Sequence, residues 1–161
     1  MKQLSITLLL LALFLPGITQ AQVSPASLPY SHGFEDATEN ANWTIVNGNS
    51  TNKFFIGTAS HNGGTQSLYI SNDNGVSNAY TLTAGGYVFA YREIAVTTAG
   101  SFTFAFDWKA YGEGFTATAG YDFLRAFLIP NGAADTIVPK TGTVNAHTGV
   151  THNTHPASWI A

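Results

Sequence analysis

The sequence predicts an all-β fold, a sandwich or a barrel. After the first 21 residues, short runs of aromatic and β-branched residues alternate with Gly, Asn, Ser and Thr turns. No heptad and no amphipathic helical period accompanies them. Composition agrees: 45% of the 161 residues are hydrophobic, enough for one core, and only 9% are charged, which excludes a charge-rich disordered chain and a coiled coil. The formal net charge of −3 leaves no basic footprint for nucleic acid. Cys is absent, so disulfides, thiolate nucleophiles and zinc–cysteine sites are excluded.

Residues 1–21 read as an export signal. Lys2 supplies the positive start, Ile6 to Leu15 is apolar except for Thr7, and Thr19-Gln20-Ala21 fits a small-x-small cleavage site after the Pro16-Gly17 break. The apolar run is too short for a membrane span, which takes about 18 to 20 residues. Cleavage starts the mature chain at Gln22 and places it outside the cell or at its surface, with no membrane-spanning segment left. Residues 22–29, with Pro25 and Pro29, form an extended leader, and residues 30–161 form the domain.

Strands follow in order. Trp43–Val46 ends on an Asn47-Gly48 turn signal. Lys53–Gly57 is short and aromatic, and Ser67–Ser71 alternates before Asn74-Gly75. Tyr87–Ile94 is the next strand. Ser101–Tyr111 has the clearest period of two, with Phe102, Phe104, Phe106 and Trp108 on one face, expected in the core, and Ser101, Thr103, Ala105, Asp107 and Lys109 on the other. Tyr121–Ile129 is apolar on both faces, as a central strand is. From Pro130 to about residue 157 the pattern dissolves into a long loop. Ser158–Ala161 then reads as the start of a strand at the last residue. The expectation is a fragment that lacks its closing strands and has aggregation-prone open edges.

The ordered series Gly33-Phe34-Glu35, Trp43-Thr44-Ile45-Val46, Phe55-Ile56-Gly57-Thr58-Ala59, Ser67–Asp73, Val88–Arg92, Phe106–Glu113 and Tyr121–Arg125 resembles a known family. It is similar to the choice-of-anchor J, or cleaved-adhesin, domains of secreted Bacteroidota proteins, related to the adhesin modules of gingipains. The likeness covers roughly residues 30 to 130. It implies a jelly-roll β-sandwich, incomplete at its C-terminus, like MAM and carbohydrate-binding modules. It also implies a non-catalytic adhesion module, part of a longer multidomain chain, that meets a glycan or a host or matrix protein at a cell surface.

The same resemblance implies a structural calcium ion. Glu35, with Asp36 beside it, matches the family's N-terminal ligand; Asp107 and Asp73 are weaker candidates. Calcium takes six to eight oxygens, rich in carboxylates. The segment after the first strand, often Asp-rich in the family, is Asn47-Gly48-Asn49-Ser50-Thr51-Asn52 here, without a carboxylate. The alternative for Glu35, Asp36 and Asp73 is a turn residue.

A ligand platform is the other candidate. Tyr87, Phe89 and Tyr91 share one strand face that ends on Arg92 and Glu93, and stacked rings beside hydrogen-bonding groups suit sugars and peptides. Sandwich core is the alternative. Tyr111, Glu113 and Tyr121 flank a Gly112–Phe115 loop of the kind that binds ligands. His147, His152 and His155 sit in loop sequence without a nearby carboxylate, so solvated histidines are the expectation over a metal site. Gly-x-Ser-x-Gly, His-Glu-x-x-His and P-loop patterns are absent. A hydrolase, peptidase or glycosidase, is the alternative class. A glycosidase pair would draw on Glu35, Glu93, Glu113 and Asp122. Asn42-Trp43-Thr44 and Asn49-Ser50-Thr51 match the N-glycosylation sequon, and Asp135-Thr136-Ile137 a short O-glycosylation signature.

Overall fold

The computed structural model describes residues 23–110, 124–131, 157–158 and 160. The elements are β1 (Ala26–Ser27), α1 (Ala37–Asn40), β2 (Thr44–Val46), β3 (Lys53–Gly57), β4 (Ser67–Ser71), β5 (Phe89–Tyr91) and β6 (Ile94–Ala95). They form a small, mostly-β unit of three two-stranded ladders. No sheet among the described residues closes on itself or on another. None of the described helices is long and apolar enough to cross a membrane.

The β3–β4 ladder is antiparallel and runs from Lys53↔Ser71 to Gly57↔Ser67, over the ranges the alternation predicts. Its period of two is real: Tyr69 and Ser71, two apart, are buried. Tyr69 lies opposite Phe55, and its ring crosses Gly57, where an added Cβ would stand 2.7 Å from the phenol oxygen. Only glycine admits that approach. The phenol then donates to the Gly75 carbonyl at 2.6 Å, so a buried ring also fastens the next loop. Asn47 joins this ladder to β2. Its amide donates to the Phe54 carbonyl (2.9 Å) and its oxygen accepts from the Phe54 N–H (2.7 Å). The side chain thereby acts as a short piece of strand.

β2 pairs antiparallel with β5, placing Val46 (2% exposed) opposite Phe89 and Thr44 opposite Tyr91. The expected continuous strand Tyr87–Ile94 is divided. After Tyr91 the chain leaves β2, and Ile94–Ala95 pairs in parallel with Ala26–Ser27 of the leader. The changeover falls at Arg92-Glu93, where the Glu93 carbonyl accepts from the Ala26 N–H (2.9 Å) and from Arg92 Nη1 (3.1 Å).

Ser101–Tyr111 differs from expectation. In its described part, 101–110, the chain runs without turn or bend but joins no ladder, and every residue is exposed. Phe102, Phe104, Phe106 and Trp108 are 57%, 61%, 49% and 66% exposed, so they are not core residues. Phe104 and Phe106 do share a face, since their rings lie 5.3 Å apart. Alternation sets the side on which rings stand; a ladder also needs a neighbouring strand, and no described strand pairs with this segment. Of Tyr121–Ile129, residues 124–129 are described and contribute one antiparallel bridge, Leu128↔Ile160.

Candidate functional site

The best-organised polar site lies where the leader, α1 and the β5–β6 junction meet. Asp36 starts α1. Its extended backbone (φ −97°, ψ 109°) and its carboxylate, accepting from the Thr38 N–H (2.8 Å) and the Glu39 N–H (3.3 Å), make an N-cap. The cap sets the direction of a single helical turn, and that turn places Glu39. In a capping box, a glutamate at this position would reach back to the cap. Here it reaches forward across the fold to Arg92.

Arg92 and Glu39 form a two-point contact, Nε to Oε1 at 2.6 Å and Nη2 to Oε2 at 3.4 Å. Their side chains are 5% and 22% exposed. Arg92 Nη1 donates further to the Ser24 carbonyl (2.7 Å), which pins the leader. Tyr30 donates to Glu39 Oε1 (2.9 Å) and accepts from the Trp43 indole N–H (3.2 Å). The Arg92 guanidinium stands 5.8 Å from the Tyr30 ring centre. Asn42 completes the set by donating to Glu39 Oε2 (2.9 Å). The Arg92 guanidinium and the Asn42 amide hold the Glu39 carboxyl down at about 2. Burial and the adjoining carboxylate push the Tyr30 phenol up.

Beneath this network the rings of His32, Phe34 and Trp43 cluster, with Phe34 5.0 Å from His32 and 5.1 Å from Trp43. Asn40 ties them to α1, its Oδ1 accepting from His32 Nε2 (2.8 Å) and its amide nitrogen donating to the Phe34 carbonyl (2.8 Å). An open cleft of about 570 Å³ borders the network. Ser24, Ser27, Ser31, Tyr30 and Arg92 line it together with Glu35, Asp36 and Glu39. With three acids against one arginine, this lining disfavours anions.

The four carboxylates proposed for calcium are already engaged, each in a different place. Glu35 Oε1 accepts from the Thr65 and Gln66 N–H groups (2.7 and 2.8 Å), and Oε2 from the Thr65 hydroxyl (2.6 Å). Those donors hold its carboxyl below the usual range. Asp36 is the cap. Asp73 accepts from Ser71 Oγ (2.6 Å), Ser77 N–H (2.9 Å) and Ser77 Oγ (2.6 Å), which bring its carboxyl down to about 2 and organise the 71–77 loop. Asp107 accepts from Asn62 at 3.2 Å. Among the described residues no three acids or histidines converge on a point. The donor set there does not fit the six-to-eight-oxygen cage that calcium takes.

Compared with family models, with curated proteins and with solved structures, the chain finds no match. The site therefore rests on its own geometry.

Of the ligand platform, Tyr87, Phe89 and Tyr91 are half-buried. Phe89 and Tyr91 face β2 residues across the ladder, and the Tyr87 carbonyl accepts from Ser50 Oγ (3.4 Å). Tyr111, Glu113 and Tyr121 lie outside the described residues, as do Asp122, Asp135 and the histidines at 147, 152 and 155. Of the two sequons, Asn42 is half-buried and bound to Glu39, whereas Asn49 is exposed. Sequence reasoning missed Tyr30, His32 and Glu39. Their one advance signal was Asp36-x-x-Glu39, a helix-start pattern, next to a lone arginine at a strand end.

Proposed function

We propose that this chain is an exported, non-catalytic ligand-binding module of the adhesin type. Its three ladders belong to a jelly-roll β-sandwich within a longer surface or secreted protein, and its ligand is a glycan. The cleft of about 570 Å³ beside the Arg92–Glu39 pair supports this most directly. Concave sites with a few fixed polar groups and a ring face are what sugars require. A glycosidase general acid needs a raised pKa, and the Glu35 and Glu39 carboxyls at this cleft are both lowered, which speaks against these two as that acid.

A glycan array followed by calorimetry tests the proposal. Saturable binding to a neutral glycan, weakened tenfold or more by Ser31→Trp, is the expected result. Ser31 is exposed, lines the cleft and has no hydrogen bond named above, so the substitution adds bulk at the cleft without removing a bond of the Arg92 network. Turnover of the bound glycan would move the protein to the hydrolase class. Saturable binding to a matrix protein alone would keep the module and replace the ligand. Absence of both would sink the proposal.

A further inference from the structure

The row at 101–110 is the largest feature that the cleft does not use. Its Phe104 and Phe106 rings lie side by side, its backbone makes no turn or bend, the sequence alternates rings with small and polar residues, and no described strand pairs with it. Aromatic side chains present about 150–250 Å² each, so four rings about half to two-thirds open expose roughly 500 Å² of apolar surface. That is at the upper end for a monomer surface and marks an interaction site.

We propose that this row pairs edge to edge with the same row of a second copy, antiparallel, about a two-fold axis at Ala105. The sequence is self-complementary in that register. Phe104 meets the partner's Phe106 and Phe102 meets the partner's Trp108, so each ring gains a cross-strand ring. On the other face Asp107 meets the partner's Thr103 and Lys109 meets the partner's Ser101. No like charges are opposed, and each carboxylate faces a hydroxyl. Sliding by one residue would set rings against polar side chains. Sliding by two toward the C-terminus would centre the pair on Phe106 and leave three ring pairings instead of four, because Phe102 would then face Ala110. Edge pairing covers ring flanks and main-chain groups rather than whole rings. The contact therefore falls at the small end of specific interfaces and dissociates on dilution.

Because the chain has no cysteine, one substitution can read the register. The two-fold axis puts each Ala105 opposite its own copy, at a strand separation that a disulfide spans. Under mild oxidation Ala105→Cys is expected to give a covalent dimer in most of the protein. Thr103→Cys, opposite the partner's Asp107, should give several-fold less. Sedimentation of the unmodified protein should show a monomer–dimer equilibrium, which Phe104→Lys shifts to monomer. That ring is exposed, so the variant keeps its fold. Equal cross-linking at 103 and 105, a monomer at every concentration, or open-ended association instead of a dimer would each overturn the proposal. So would a monomer that gains an added aromatic peptide strand in place of its own copy.

Discussion

Residues 24–95 and residues 101–110 use similar side chains to opposite effect. In the first region almost every turn is closed by a side chain acting on backbone: Asn47 on Phe54, Asn52 on Thr81, Glu35 on Thr65 and Gln66, Asp73 on Ser77. Its buried apolar side chains among the described residues are Val46 and Tyr69. In the second region the hydrophobic alternation is stronger, yet every residue is exposed. The order of the first region thus comes from polar side chains that replace missing ladder partners, and apolar patterning alone does not order the second.

The largest effect that sharpens this contrast is expected from Tyr69→Ala. It removes a buried ring and frees the Gly75 carbonyl, and large-to-small changes at such positions cost about 3 kcal/mol or more. A urea titration measures it; a loss below about 1 kcal/mol would mean that the β3–β4 face is not a core. Acid comes next. Folding lowers the Glu39 carboxyl from 4.5 to about 2 and the Asp73 carboxyl from 3.8 to about 2. A lowered carboxyl contributes stability that is complete above its unfolded value and is lost as pH falls through the folded one. Denaturant midpoints should therefore hold from pH 7 to about pH 4.5 and drop toward pH 2, and Arg92→Met should flatten the Glu39 share of that slope. A profile unchanged by Arg92→Met would remove the ion pair from the account.

Asp36→Ala deletes the cap of α1 and should cost about 1 kcal/mol, read by the same titration. Calcium and chelator should leave the thermal midpoint unshifted, because the carboxylates that would hold the ion are bonded to Thr65, Gln66, Ser71 and Ser77. A saturable rise in the midpoint would restore the ion that the family resemblance implies. The smallest effect is expected from Phe104→Ser. At 61% exposure the ring should change stability of the dilute monomer by less than about 0.5 kcal/mol, and a loss near that of Tyr69→Ala would erase the contrast between the regions.

The ladders were the most legible part of the fold. β3 and β4 emerge at their expected limits: an aromatic run marks the first, and alternation up to the Asn74-Gly75 turn marks the second. α1 was not legible: one helical turn has no period to detect, and Asp36 carries the same carboxylate whether it caps a helix or binds an ion. The division of Tyr87–Ile94 was hidden because residues that leave one ladder for another keep the same β-prone composition. The Arg92–Glu39 contact joins residues 53 positions apart, and only the fold brings them together. At 101–110 the sequence carried the phase of the rings and nothing about a neighbour.

The Arg92 guanidinium has one more consequence, which concerns time. It grips the Ser24 carbonyl from 68 residues downstream, and β1 has no ladder until β6 exists. A polypeptide that emerges N-terminus first must therefore carry its leading edge unpaired until about residue 95 has followed. The opening segment is thus made first and gains its ladder only after β3 and β4, whose partners are both complete by residue 71, have had the chance to pair.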